Sequence, residues 1–402
     1  IARETADASV GQAYVGEELS FGPEYLIPKP FDPRLLPVIA HAVAKAAIES
    51  GVATKEIDLD AYQRSLRGQV IRSSLVMRPI YDSARAAKRR IIFAEGEDER
   101  VLRATQAISE EIGDDVTLIG RPEVVESRLE RAGLKIRAGK EFELINPEND
   151  KRYRDYWNTY HDIMQRDGAT PDSARAMMRT NATAIAAVAV QRGDADSMIC
   201  GTFGEYRWHL RHLTHILAHD DKKPEGAMSL VLLENGPLFV ADTHVNIEPD
   251  AAQLAGSVIA AARHVRRFGI APKIALCSGS QFGNLDSRSG RVMRGAMAIL
   301  DAANLDFEYE GEMHTDAALD PELRNRLFPS GRLTGKANVL VYANTDAAGA
   351  TRNILKSVAE GIEVGPILMG MGNRAHIATP SITVRGLLNL AALAGTSVES
   401  YS

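Results

Sequence analysis

Short β-type runs that alternate with longer helical patterns from Arg90 onward predict an α/β fold with parallel sheet. Two further observations agree. The 402 residues are material for two or three domains at roughly 100–200 residues each. The composition, 45% hydrophobic and 25% charged, is that of a chain with a core and not of a disordered one.

Residues 1–55 hold too little for a domain of their own. Four prolines in EYLIPKPFDPRLLP (24–37) oppose regular helix up to about Pro37, and helical periodicity then runs from Leu35 to Ala53 with Gly51 as a C-cap. Such a lone apolar helix needs a cover, either the rest of a longer polypeptide or a partner copy. Ile1 opens the chain with no initiator Met, basic n-region or apolar h-region, so the sequence reads as a piece of a longer chain. Residues 56–88 read as a solvated, charged connecting helix with a stripe at Leu66, Val70, Met77 and Ile80.

The alternation then begins. IIFA (91–94) precedes EGEDERVLRATQAISEEIG, and DVTLIG (115–120) precedes RPEVVESRLERAGL. SMICG (197–201) leads into EYRWHLRHLTHILAHD, KIALCS (273–278) into a loop and RSGRVMRGAMAILDAANL, and ANVLVYA (337–343) into NTDAAGATRNILKSVAEG. VGPILMGM and the helix SITVRGLLNLAALAG follow. Between Met228 and Thr243, MSLVLLENGPLFVADT breaks the pattern and reads as a hairpin about a Gly-Pro turn.

Charge and cysteine content exclude several classes. Forty-seven Lys+Arg against 53 Asp+Glu give a net charge of −6, so there is no basic excess to hold a nucleic acid backbone. No apolar run approaches the ~20 residues of a membrane span. Cys200 and Cys277 each end an apolar run and lack the companions of a zinc site or disulfide framework. They read as core residues of a reducing compartment, the cytoplasm.

Two constellations could carry chemistry. The loop SGSQFGN (278–284) lies between a strand and a helix bearing Arg288, Arg291 and Arg294, which suits either an anion site or a plain tight turn. The helix WHLRHLTHILAHD puts His209, His212, His215 and His219 within roughly 120° of one another, a polar flank more than a metal site. No GxSxG, HExxH or P-loop occurs. On residues alone this is an α/β protein with an anion-accepting cleft.

Several stretches go further. EGEDERVLRA (95–104), ADTHVNIEPDAAQLA (241–255), FGIAPKIALCS (268–278), EGEMHTDAAL (310–319), KANVLVYANTDAAGATRNIL (336–355) and VGPILMG (364–370) resemble phosphate acetyltransferases. CGTFGEYRWH (200–209) and HIATPSITVRGLLN (376–389) resemble the C-terminal, phosphotransacetylase-like portion of bacterial hybrid NADP-dependent malic enzymes. FGPEYLIPKPFDPRLLPVIAHAVAKAAIESGVA (21–53) resembles the last segment of their malic domain.

The resemblance implies two parallel-sheet subdomains of the phosphate acetyltransferase type with a cleft between them, preceded by a helical linker. Residues 1–55 would be the tail of a malic enzyme domain and 56–87 the linker. Residues 88–222 with 367–402 would form the first subdomain, and 223–366 the second. It implies a homo-oligomer, a dimer through this module and larger in full length, with NADP and a divalent metal confined to the malic domain.

Departures from the family pattern bear on function. The family's Ser-Arg pair and its Asp base fall on Thr379, Pro380 and Gly386, while a second family arginine matches Arg211. Pro cannot hold phosphate and Gly cannot take a proton, and base catalysis alone is typically worth about 10²–10⁴. The resemblance therefore implies a catalytically silent, regulatory module that binds acetyl-CoA as effector and carries no cofactor of its own. The expected acetyl-CoA contacts are Arg211, Ser278, Gly279, Ser280, Asn284, Thr379, Pro380, Ser381 and Arg385. An active phosphate acetyltransferase and a structural oligomerisation module are the alternatives.

Overall fold

The computed structural model describes residues 35–55, 57–218 and 223–396, so most of the expected malic tail (1–34) and His219 lie outside the described residues. The chain divides into two units at Val76 and Met77. In the first, a helix runs over Leu35–Glu49. It starts two residues before Pro37, because proline in a first turn lacks only an N–H that would be unpaired anyway. Gly51, at φ +72°, follows its end. Ile39 and Val43 are exposed on it.

A second helix, Leu59–Ala87, carries the chain into the second unit. The sequence reading made this a solvated connector. Its last part is instead core: Met77, Ile80, Tyr81 and Ala84 are buried, and the Tyr81 hydroxyl donates to Asn389 Oδ1 at 2.7 Å.

The strands of the second unit are β1 (Arg90–Phe93), β2 (Asp115–Ile119), β3 (Glu143–Ile145), β4 (Ser197–Cys200), β5 (Pro224–Leu233) and β6 (Gly236–Ala241). After them come β7 (Lys273–Cys277), β8 (Glu308–Met313), β9 (Val339–Tyr342), β10 (Ile362–Gly370) and β11 (Ala375–Ile377). One sheet has the order β11-β4-β1-β2-β3 and is parallel throughout. The other has the order β10-β5-β6-β9-β7-β8, parallel from β6 to β8 and antiparallel across β10, β5 and β6.

The residue types account for this. Ile91, Ile92 and Phe93 in β1, all of β4 and all of β9 are buried, as strands covered by helices on both faces must be. Burying each Ile, Leu or Phe side chain contributes about 1.5–3 kcal/mol. The expected hairpin is present as β5–β6, but its turn is not Gly-Pro. Leu233 pairs with Gly236 and Leu232 with Pro237, which leaves Glu234 and Asn235 as the turn. Pro237 sits beyond the β6–β9 ladder, which begins at Phe239, so its missing N–H breaks no bond there.

Cys200 and Cys277 are buried and free, and burial pushes the Cys277 thiol up to about 12. Arg267, also buried, joins the layers around the two sheets: it meets His264 Nδ1 at 2.8 Å and donates to the Leu393 carbonyl at 2.6 Å. Among the described residues no helix is long and apolar enough to cross a membrane.

Candidate functional site

Parallel sheets gather loops and helix N-termini at the carboxyl ends of their strands, where ligands bind. The expected loop Ser278–Asn284 follows β7 in this way. Ser280 is wholly buried, and its hydroxyl donates to Glu312 Oε1 at 2.6 Å while accepting the Leu285 N–H at 3.3 Å. The Ser278 hydroxyl meets Ser289 Oγ at 3.1 Å and accepts the Ser280 N–H at 3.1 Å. The Gly279 carbonyl contacts His314 Nε2 at 3.1 Å, and Asn284 Oδ1 accepts the Gln281 N–H at 2.8 Å. These groups build the loop itself.

The three arginines of the following helix are paired as well. Arg288 meets Glu248 at 2.7 Å, Arg291 meets Asp286 at 2.6 Å and Arg294 meets Glu312 at 2.7 Å. The sequence left them open to an anion site or a plain tight turn. Carboxylates far off in sequence, as well as near ones, already neutralise them.

The second expected segment, Thr379–Ser381, follows β11. Thr379 Oγ1 and Ser381 Oγ lie 3.2 Å apart, and Pro380 is exposed. What holds the segment is Arg100, which the sequence reading did not single out. Its Nη1 donates to the Pro380 carbonyl at 2.7 Å and the Ile382 carbonyl at 3.0 Å. Its Nη2 donates to Asp98 Oδ2 at 2.7 Å and the Thr202 carbonyl at 2.8 Å, and its Nε to Asp98 Oδ1 at 3.1 Å. Asp98 in turn caps the helix Glu99–Glu111. Burial raises the Asp98 carboxyl, but the Arg100 side chain and N–H outweigh it and hold it below its ordinary range. The signal was in the sequence: EGEDER occupies the same strand-to-helix position as SGSQFGN.

Gly386 lies in the first turn of the helix Val384–Ala394, and its N–H donates to the cap Thr383 at 3.0 Å. A Cβ there would come within 2.7 Å of Ile382 Cγ1. Arg385 lies against Glu111 at 3.7 Å and over the Tyr81 ring at 5.7 Å. Burial raises Glu111 to about 8, partly opposed by Arg385.

Arg211 is exposed on the helix Tyr206–Leu217, in a cavity of 530 Å3 shared with Arg207, Trp208 and His215. Among the described residues it forms no ion pair. His209 is held by Thr183 Oγ1 at 2.9 Å and the Phe203 carbonyl at 2.8 Å, and His212 lies 3.0 Å from Asn181 Nδ2, so two of the histidines anchor the helix.

The segment His244–Glu248 is a partial bridge among these parts. The rings of His244 and Tyr206 are 4.5 Å apart, and Glu248 takes Arg288. Among the described residues no hydrogen bond or ion pair joins Ser278–Asn284 to Thr379–Ser381 or to Arg211.

The chain is 48% identical over 397 residues to an NAD-dependent malic enzyme of Rhizobium meliloti, an alignment covering 98% of this chain and 52% of that protein. It is 47% identical over 394 residues to an NADP-dependent malic enzyme of Escherichia coli, covering 97% and 52%. The chain thus spans about half the length of the curated relatives it matches. A crystal structure of a phosphotransacetylase from Streptococcus pyogenes superposes with a TM-score of 0.72 at 25% identity, over 79% of this chain and 97% of that one. The two-sheet α/β architecture is that of the phosphotransacetylases. The family described as phosphate acetyl/butaryl transferase matches residues 75–395, and the chain belongs to it.

Proposed function

We propose that the chain is the phosphotransacetylase-like module of a malic enzyme, silent as an acetyltransferase, which binds acetyl-CoA and passes that state to a malic domain. One observation carries the silence. Pro380 and Gly386 stand where the family pattern puts a phosphate-binding Arg and a base, and Ile382 fills the space beside Gly386. Neither residue can hold phosphate or take a proton, so the chemistry loses its charge stabilisation as well as its base.

Acetyl-CoA binding is supported by two features. Coenzyme A is a polyanion, and Arg211 is exposed and, among the described residues, forms no ion pair, where Arg288, Arg291 and Arg294 each meet a carboxylate. Phe203, Ile247 and Leu285, in the segments after β4, β6 and β7, are exposed large apolar side chains that suit a pantetheine or acyl chain. The reading includes the four-part domain plan given above, assembly into a homo-oligomer, and a cytoplasmic location. NADP and a divalent metal belong to the malic half; the relatives' names differ in coenzyme, and the choice lies with that half.

Incubating the chain with acetyl-CoA and phosphate should release no CoA at enzyme rates of ~1–10³ s⁻¹. Calorimetry should show acetyl-CoA binding weakened about tenfold by Arg211→Ala, and the same change in the full-length enzyme should blunt the response of malate oxidation to acetyl-CoA. Turnover would establish an active acetyltransferase instead. Absence of acetyl-CoA binding would leave a structural oligomerisation module, the reading favoured by the three paired arginines.

A further inference from the structure

The hairpin β5–β6 closes on a two-residue turn, Glu234 and Asn235, with Gly236 opening β6. Asn235 is the one asparagine of the 402-residue sequence that a glycine follows. That order of residues carries a chemistry of its own. The backbone nitrogen after an asparagine can reach that residue's side-chain Cγ and close a cyclic imide. Glycine leaves the nitrogen unhindered, because it has no Cβ. The reaction needs a carboxamide that nothing holds, backbone free to turn, and room for the ring.

The turn meets all three conditions. Asn235 is exposed, and among the described residues its carboxamide has no hydrogen-bond partner. Elsewhere the fold holds this group. Asn181 and Asn344 cap helices, Asn246 donates to Asp242 Oδ2 at 2.8 Å, Asn338 to the Ala271 carbonyl at 2.8 Å and Asn373 to the Leu393 carbonyl at 2.9 Å. Gly236 lies at φ +115°, and nothing stands within 4 Å of the place a Cβ would take. Leu233 and Gly236 form the last pair of the ladder, and terminal pairs open at little cost. Asn149, Asn304, Asn325 and Asn353 are exposed too, but Asp, Leu, Arg and Ile follow them, and those side chains crowd the attacking nitrogen.

We propose that Asn235 is a site of spontaneous covalent modification. The Gly236 nitrogen gives up its proton to water and attacks Asn235 Cγ with its lone pair. The new N–Cγ bond forms, the Cγ–Nδ2 bond breaks, and the amide nitrogen takes a proton from water and leaves as ammonia. The imide then takes up one water. Opening at Cγ gives aspartate; opening at the backbone carbonyl gives isoaspartate, in which the main chain runs through the former side chain. Nothing is oxidised or reduced, and water is the only co-reactant. Either product adds one negative charge beside Glu234, and isoaspartate also lengthens the main chain of the turn. The inference uses no residue of the acyl-CoA reading and no ligand.

Holding the folded chain at pH 8 tests it, with ammonia release followed in solution and aspartate and isoaspartate mapped by peptide mass spectrometry. Asn235 should convert about tenfold faster than Asn304 or Asn325 and give both products. Conversion should slow at pH 6, since the nucleophile is the deprotonated nitrogen. Asn235→Gln, whose extra methylene disfavours ring closure, should abolish the early ammonia without moving the melting temperature. Aspartate without isoaspartate would mean direct hydrolysis and overturns the imide route. Conversion at Asn235 in concentrated urea but not in the folded chain overturns the proposal, because the ladder then holds the Gly236 nitrogen. Unchanged ammonia release in Asn235→Gln overturns it as well, by placing the reaction elsewhere.

Discussion

Arg100 donates to the carbonyl of Pro380 at 2.7 Å across 280 residues of sequence. The same guanidinium reaches the carbonyls of Thr202 and Ile382 and the carboxylate of Asp98, and so ties the loops after β1, β4 and β11 to one another. Hydrogen bonds to charged groups contribute about 1.5–3 kcal/mol each before solvent screening, and this side chain is 32% exposed. Arg100→Ala should therefore cost about 2 kcal/mol overall and speed amide exchange at Ile382 and Ala378. Arg100→Lys should not rescue it, because one ammonium cannot span the fork. A lysine variant with wild-type melting and exchange would show that the guanidinium is not what joins the loops.

Ser280 was expected at the surface of a ligand site, and the fold puts it under the loop instead. Removing its hydroxyl takes one donor from the buried Glu312 carboxylate, which keeps the Gly283 N–H and Arg294. Ser280→Ala should thus lower stability by about 1–2 kcal/mol, read as a drop in the denaturant midpoint. An unchanged midpoint, together with weakened acetyl-CoA binding, would return the hydroxyl to the ligand.

Gly386→Asp sets two opposed effects against each other. Replacing glycine in a helix is worth about 0.5–1 kcal/mol, and a carboxylate in a first turn adds to that. The new Cβ, however, meets Ile382 Cγ1 at 2.7 Å, and overpacking typically costs about 1–3 kcal/mol. Net destabilisation is expected, relieved in the Ile382→Ala background. In that background Pro380→Arg with Gly386→Asp should yield measurable CoA release from acetyl-CoA and phosphate. If Gly386→Asp raises the melting temperature on its own, Ile382 is not the obstacle.

Stability should peak at a mildly acid pH. Burial, with the Arg267 charge adding, drives His376 down to about 3 from 6.5, and burial takes His244 to about 4. The unfolded chain therefore binds protons first as pH falls below 6.5, and stability falls with it. Glu111 and Glu95 are raised by burial from 4.5 to about 8 and about 7. The folded chain keeps those protons while the unfolded chain releases them, so stability falls as pH rises from 4.5 to 8. Melting temperature measured against pH should show a maximum near about 6. Glu111→Gln should raise it at pH 8 and change it little at pH 5. An alkaline limb that survives Glu111→Gln unaltered would place its origin elsewhere.

Local pattern was enough for the alternation and the hairpin. IIF, SMIC and VLVY are continuous apolar runs between helical periods, and such runs fit strands of a parallel sheet covered on both faces. Pattern misplaced the turn, because Gly236 and Pro237 look like a turn while the ladder register, set by the pairing of Leu232 and Leu233, makes Glu234 and Asn235 the turn. The short strands β3 and β11 were not legible, since three residues carry no period.

The sequence by itself determined the side-chain types on which the proposed silence rests: a proline at 380 cannot hold phosphate and a glycine at 386 cannot take a proton in any conformation. Only the tertiary structure decided which charges are free. Arg288, Arg294 and Arg100 look alike in the sequence, but each is matched to an acceptor that folding brings near, Glu248, Glu312 and the carbonyls of Thr202 and Pro380, while Arg211 is left to solvent. Charge on a residue is a property of its type; its availability to a ligand depends on neighbours tens to hundreds of residues away, and those are set by packing alone.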